Sequence, residues 1–290
     1  MTCTHPTSAT TRADVGHPVQ CTASQVLAWA GLRALAGAVT DGIVFPVRRV
    51  VADAPLLHEG QAFEALYLVS CGSFKCVQID CEGYEQVLEF AMHGDFLGLD
   101  GLGHGHHASG VMALEDASVV VLPIRQLQAL GHDVPAMEAL LMRAVGTEVR
   151  RRGDTQYMMA APRSEVRVAR FLLKLAQRQA ALGYSDRRLR LRMTRRDIGS
   201  YLGVAHETVS RALTALSAEG CIRLAQRDIE FLDLQRLHEL QRATRGRGLA
   251  PSKTVHGEME VVLRAVGPVG PASVPYAAQT GRVHLVDAVG

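Results

Sequence analysis

In and just after the run from His206 to Ala215, Glu207, Ser210 and Arg211 are interleaved with Val209, Leu213 and Leu216, which recur at helical spacing. Apolar residues so spaced must pack inward, leaving Glu207, Ser210, Arg211 and Thr214 to face solvent or a groove. Their types suit the reading of DNA base edges. A guanidinium can fork onto O6 and N7 of guanine, a carboxylate can accept from the amino group of cytosine, and a small side chain can sit against thymine. The competing explanation is a solvated face carrying a Glu207–Arg211 pair at i,i+4 spacing, common on surface helices.

Such readers need a rigid mount, and the preceding residues supply one. Thr194 followed three residues later by Asp197 has the form of a capping box, so a helix should begin near Arg195. Ile198 and Leu202 share its inward face, and Gly203 permits a sharp turn before a second helix from about Ala205. The pattern is a helix-turn-helix. Val166 to Leu182 reads as a helix opening this domain, and Ile222 to Leu232 as a two-stranded wing.

Charge is divided in the same way. Met1 to Pro135 holds 6 Lys and Arg against 14 Asp and Glu, whereas Arg187 to Arg247 holds 13 against 7, although the whole chain is only +2. A cationic module beside an acidic one suits binding of the phosphate backbone by one of them. With 290 residues and 48% hydrophobic content, the chain suits two compact domains with tails. No apolar run approaches the ~20 residues of a membrane span, and the N-terminus lacks a secretory pattern. A cytoplasmic protein with no membrane partner is expected. Of the six cysteines, Cys71, Cys76 and Cys81 are evenly spaced, yet no Cys-x2-Cys pair occurs, so thiols are expected in place of a metal site.

Between Val44 and Leu122 the texture is that of short strands separated by glycines: Val47–Val51, Leu66–Val69, Phe74–Ile79, Gln86–Phe90 and Ala117–Leu122. Strands with no helix between them indicate a β-barrel, roll or sandwich. Ser24 to Ala38 reads as a lead-in helix, and a long helix runs from about Val134 toward Ala160. Its apolar seam, Met137, Leu140, Leu141, Ala144 and Val145, continuing through Val149, is expected to zip two copies together as a coiled coil, the alternative being that it packs on its own β-domain. The fold class is therefore α+β: a flexible leader (1–22), a jelly-roll-like β-roll (23–133), a dimerisation helix (134–161), a winged helix-turn-helix (162–242) and a disordered tail (243–290).

This order of parts, with Met193–Gly203, Glu207–Arg211, Gly94–Gly98, Gly105–His107 and Arg167–Leu172, resembles the Crp/Fnr family of bacterial transcription regulators, its Fnr-like branch above all. The resemblance spans roughly Arg48 to Leu240. It implies a cyclic-nucleotide-binding-like β-domain and a homodimer on double-stranded DNA. It also implies a TTGAT-N4-ATCAA-like inverted repeat, read by Glu207, Ser210 and Arg211 with His206 at a further reading position. Arg195, Arg196 and Thr208 would meet phosphates, which position without specifying. RNA polymerase is the implied partner, through Asp80, Gly83 and Tyr84, and activation of anaerobic, nitrogen-oxide or redox genes is the implied role.

The departures are informative. Iron–sulfur members of the branch use a clustered N-terminal cysteine trio plus one in the β-domain; here Cys21 alone lies in the corresponding stretch, and Val120 stands at the β-domain position. Cyclic-AMP binders present a glutamate and an Arg-Ser pair, where this chain has Gly98-Leu99-Asp100-Gly101 and His107-Ala108-Ser109, with no arginine between Arg49 and Arg125. No cofactor is therefore expected, neither a [4Fe-4S] cluster nor cyclic AMP, and no catalytic residue. Three alternatives stand beside this reading. His104, His106 and His107 could serve a haem- or metal-dependent sensor, or a cupin-type metal enzyme; a winged domain that binds protein instead of DNA is the third.

Overall fold

Alternation along the strands decides the centre of the molecule. The computed structural model describes residues 19–243. Two antiparallel sheets are built from β1 (Gln20–Thr22), β2 (Val44–Val50), β3 (Pro55–Leu57), β4 (Ala65–Cys71), β5 (Ser73–Ile79), β6 (Glu85–Met92), β7 (Phe96–Leu97), β8 (Gly110–Ala113) and β9 (Ala117–Pro123). One runs β1-β2-β9-β4-β7 and the other β3-β8-β5-β6. Ala65, Tyr67 and Val69 of β4 pack with Phe74, Cys76 and Val111 of the other sheet. The intervening Leu66 and Leu68 join Val120 and Leu122 in a second core facing the helices. A strand buried on both faces reads as a continuous apolar run for this reason.

Helices α1 (Ala23–Trp29), α2 (Ala38–Asp41), α3 (Ile124–Asp133) and α4 (Pro135–Met159) follow the strands in space. Pro135 occupies the first turn of α4, where its missing N–H costs nothing. The expected lead-in helix stops at Trp29, because Gly31 turns the chain through a left-handed φ of 80°. Residues 20–22 do not belong to a loose leader: Cys21 pairs with Phe45 across β1–β2 and is buried in the helix-facing core. Residues 1–18 of that leader, and the tail from 244 onward, lie outside the described residues.

The C-terminal part comprises α5 (Ser164–Ala181), β10 (Arg188–Arg190), α6 (Arg195–Leu202), α7 (His206–Ala218), β11 (Ile222–Ala225), β12 (Asp228–Phe231) and α8 (Leu234–Ala243). The wing has three strands, ordered β10-β12-β11, one more than the sequence pattern indicates. Its core does not stop at the domain edge. Val77, Val87 and Phe90, on the outward faces of β5 and β6, share one cluster with Phe171, Tyr201 and Leu202.

The long helix corrects the expected dimer seam. Met137 and Ala144 are each 1% exposed and belong to the core that also holds Leu66 and Val120. Leu141 is half-buried and packs against that same core, and Val145 is half-buried. Met137 and Ala144 therefore cover the chain's own β-roll and cannot meet a second copy. The free face lies a step around the helix, at Met142 and Val149, 59% and 66% exposed. Gly146 and Gly153 share that side, with nothing within 4 Å of where a Cβ would stand.

Candidate DNA interface

The mount of the reading helix forms as its local sequence dictates. The Thr194 hydroxyl accepts the Asp197 N–H at 3.1 Å, and the Asp197 carboxylate accepts the Thr194 N–H at 2.8 Å. The capping box is complete, and its exchange of bonds satisfies donors that the helix start leaves orphaned. Gly203 closes α6 in the left-handed region, φ 62° and ψ 41°, which costs a residue with a Cβ. Gly199 has a steric duty: a Cβ there would stand 2.7 Å from the Val204 carbonyl oxygen and 3.3 Å from the His206 nitrogen. The two helices can meet this closely only over a glycine.

On α7, Val209, Ala212, Leu213 and Leu216 are at most 2% exposed. Burying Val209, Leu213 and Leu216 stabilises the mount by about 1.5–3 kcal/mol each. His206, Glu207, Ser210, Arg211 and Thr214 are exposed, as the spacing requires. Glu207 pairs with His206 at 3.2 Å and not with Arg211, so the surface-pair explanation does not account for the arginine. Arg211 donates to the Thr208 hydroxyl at 3.3 Å, and among the described residues it forms no ion pair. Ser210 and Thr214 donate back to the carbonyls of His206 and Ser210 at 3.1 and 3.0 Å, leaving their oxygens' acceptor capacity outward.

The expected phosphate contacts are not equivalent. Arg196 is exposed and Thr208 half-buried. Arg195 is half-buried and donates to the Gln226 carbonyl at 3.0 Å; burial, helped by the Arg227 charge, holds its pKa below the usual arginine range.

Sequence reasoning missed the polar contact between this module and the β-roll. Lys75 of β5 bridges Glu85 at 2.5 Å and Asp197 at 3.0 Å, so the Asp197 carboxylate serves both the cap and the interdomain pair. Burial raises the Asp197 pKa, but the Thr194 hydrogen bonds and the Lys75 ammonium outweigh it and leave the pKa below the ordinary value. The Ser200 hydroxyl accepts the Val87 N–H at 2.8 Å and donates to the Glu85 carbonyl at 3.0 Å, docking α6 onto β6. Phe90, Phe171 and Tyr201 stack edgewise or tilted with centroids 5.2–5.9 Å apart. Lys75 looks like an ordinary outward-facing polar residue of a strand; its alternate spacing with the buried Val77 was the one available signal.

Beside this junction a cleft of about 760 Å³ separates the β-roll from α4 and α5. Asp95 ion-pairs with both Arg151 and Arg178 there, and Arg151 also meets Glu89 at 2.5 Å. Burial raises the Glu89 pKa against the pull of Arg151. At the wall of the cleft the Asp100 carboxylate accepts the N–H and hydroxyl of Ser109, at 2.8 and 2.7 Å, and lies 3.2 Å from Nδ1 of the buried His107. His104 and His106 are exposed and do not converge with His107. Among the described residues no three His, Cys, Asp or Glu side chains are grouped to hold a metal ion. The Asp80 carboxylate accepts the N–H groups of Glu82 and Tyr84, each at 2.9 Å, so the expected polymerase loop is a tight, exposed turn around Gly83.

Residues 47–133 match the cyclic nucleotide-binding domain family, and residues 166–240 the Crp-like helix-turn-helix domain. The transcriptional regulatory protein btr of Bordetella pertussis is 35% identical over 227 residues, covering 78% of this chain and 94% of that protein. This chain belongs to the Crp/Fnr family of transcription regulators. A second relative, the fumarate and nitrate reduction regulatory protein of Escherichia coli, is 32% identical over 205 residues, or 71% of this chain and 82% of that one. The solved structure of FixK2 from Bradyrhizobium japonicum superposes with a TM-score of 0.61 at 31% identity, covering 72% of this chain and all of that chain. As a Crp/Fnr regulator the chain is a DNA-binding protein and not an enzyme. No helix among the described residues is long and apolar enough to cross a membrane.

Proposed function

We propose that this Crp/Fnr regulator binds a TTGAT-N4-ATCAA-like inverted repeat as a homodimer and activates genes of anaerobic, nitrogen-oxide or redox metabolism. The observation that carries the proposal is α7: Glu207, Ser210 and Arg211 stand outward on a helix whose opposite side is fully buried. Met142, Val145 and Val149 recur at heptad-like spacing on α4, and zipping them against a second copy would pair two such helices for a palindromic site. The name of the Escherichia coli relative supports the metabolic direction, and the exposed Asp80–Tyr84 turn offers a surface for RNA polymerase.

The proposed regulator uses neither an iron–sulfur cluster nor cyclic AMP. Burial lifts the Cys21 pKa to about 11, which disfavours the thiolate that a cluster needs. A carboxylate, Asp100, stands beside Ser109 where a nucleotide phosphate would require a cation. Binding of the purified protein to the inverted repeat and to a scrambled duplex tests the reading. Arg211→Ala should cost about 1–3 kcal/mol on the repeat and relax discrimination at the contacted G·C pair. Equal losses on both duplexes would make Arg211 a mere phosphate contact, and a stoichiometric Soret or cluster absorption band in anaerobically purified protein would overturn the cofactor-free reading.

A further inference from the structure

This inference rests on the homodimer and inverted repeat proposed above, and deepens that reading from which bases are read to how far apart they stand. We propose that Arg167 is a positioning residue that fixes the reading head to the end of α4 and thereby sets the spacer tolerated between the two half-sites.

The turn of the helix-turn-helix sits on the last residues of α4. A Cβ at Gly203 would stand 2.8 Å from Cε of Met159, the final residue of that helix. Met158 and Ala161, on either side of that end, are 2% and 1% exposed, and Met158 shares a core with Leu202 and Val209. Arg167 of α5 ties the two ends together: Nε donates to the Ala161 carbonyl at 2.7 Å, and Nη1 to the Leu202 carbonyl at 3.1 Å. Leu202 is the last residue of α6, so its carbonyl is one that a helix end leaves orphaned, where the backbone dipole also favours a cation. A planar fork held at two carbonyls fixes a direction as well as a distance.

Two further contacts reinforce the joint. Arg170, 8% exposed, donates from Nη1 to the Tyr157 carbonyl at 2.7 Å and lies over the Tyr157 ring, 4.3 Å from its centroid. The Thr155 and Tyr201 hydroxyls lie 3.1 Å apart, joining α4 directly to α6. Once α4 pairs with its copy, α7 takes its place on the duplex from α4 through this joint. One more base pair between half-sites moves them about 3.4 Å apart and turns one by about 34° around the duplex axis. A stiff joint cannot follow that step; a loosened one can.

The test measures affinity of the full chain for inverted repeats with spacers from N3 to N6, and for a scrambled duplex. The variants are Arg167→Met, Arg167→Lys, Tyr201→Phe and, as a charge-matched control, Arg163→Met, whose side chain is exposed. Circular dichroism establishes that each is folded. Wild type should bind the N4 repeat best. Arg167→Met loses one bond to the head in each subunit, and at a few-fold per hydrogen bond its preference for N4 over N5 should fall about 10-fold, with base preference within the half-site kept. Lysine keeps the charge but cannot span both carbonyls, so Arg167→Lys should flatten the profile nearly as far. Tyr201→Phe keeps the ring and removes only the Thr155 contact, which should lower the preference about threefold. Arg163→Met should keep the wild-type profile. If Arg167→Met does not fold, Arg167→Lys and Tyr201→Phe decide by the same measurement. An unchanged profile in the Arg167 variants overturns the inference, and so does an equal flattening in Arg163→Met, which would make the effect one of charge. A wild-type profile in Arg167→Lys alone overturns the two-carbonyl clamp. A wild type that prefers the repeat equally at every spacer refutes this inference by itself, whereas one that binds the scrambled duplex as well as the repeat refutes the sequence-specific reading and this inference with it.

Discussion

Asp197 joins two tasks, and replacing it separates them. Its carboxylate closes the capping box of α6 and also receives Lys75 from the β-roll at 3.0 Å. Loss of a cap costs about 0.5–2 kcal/mol. The ion pair is 12% and 11% exposed at its two side chains, so solvent screens it less than a surface pair. Orphaning a buried charge costs about 3–5 kcal/mol, but Lys75 retains Glu85 at 2.5 Å, which removes most of that penalty. Asp197→Asn, which keeps an acceptor for the Thr194 N–H, should therefore lose about 1 kcal/mol, and Asp197→Ala, which loses cap and bridge together, about 2–3 kcal/mol. Urea titration followed by far-ultraviolet circular dichroism measures both, with the denaturant slope as a check that the same surface is exposed on unfolding. Combining Asp197→Asn with Lys75→Met should show a coupling of about 1 kcal/mol. Equal losses for Asn and Ala, with Lys75→Met additive to within about 0.3 kcal/mol, would refute an energetic link between β-roll and reading module.

The same carboxylate sets an acid limit. Because its folded pKa lies below the unfolded value of about 3.9, its contribution is complete above pH ~4 and is lost as pH falls through the folded value. The stability gap between wild type and Asp197→Asn should therefore close below pH ~4, and a gap constant down to pH ~3 would contradict the assignment. Gly199→Ala gains about 1 kcal/mol of helix propensity but forces a Cβ to 2.7 Å from a backbone oxygen. Overpacking of about 1–3 kcal/mol should win, lowering both the urea midpoint and affinity for the repeat, so a variant neutral in both assays would show that the turn can relax. On α4, Val149→Asp should yield monomers in analytical ultracentrifugation with little change in subunit stability, whereas Met137→Ala should cost about 2–5 kcal/mol of stability. Dimers that dissociate on Met137→Ala and persist in Val149→Asp would restore the original seam.

Much of the reading head was legible because its determinants are local. Thr194 and Asp197 are three residues apart, Gly203 supplies its own backbone freedom, and Val209, Leu213 and Leu216 reveal an inward stripe without reference to anything distant. The longer strands were legible for the same reason. Strands β1, β3, β7 and β10 were not, because two or three residues are too few to show a period. The seam on α4 marks a further limit: periodicity identifies residues that share a face, and Met137 with Ala144 do share one, but it does not say which neighbour covers that face.

From the chain of residues alone came the family, the order of its parts, the capped helix pair and the outward placement of Glu207, Ser210 and Arg211. Tertiary structure alone decided that Met137 serves the β-roll, that Arg195 donates to the turn carbonyl of Gln226, and that Asp197 answers to a lysine 122 positions away. The division has one physical cause. Caps, turns and helical stripes are specified within a few residues of backbone, whereas burial and ion pairing depend on groups that are neighbours only after the chain has closed long loops between them.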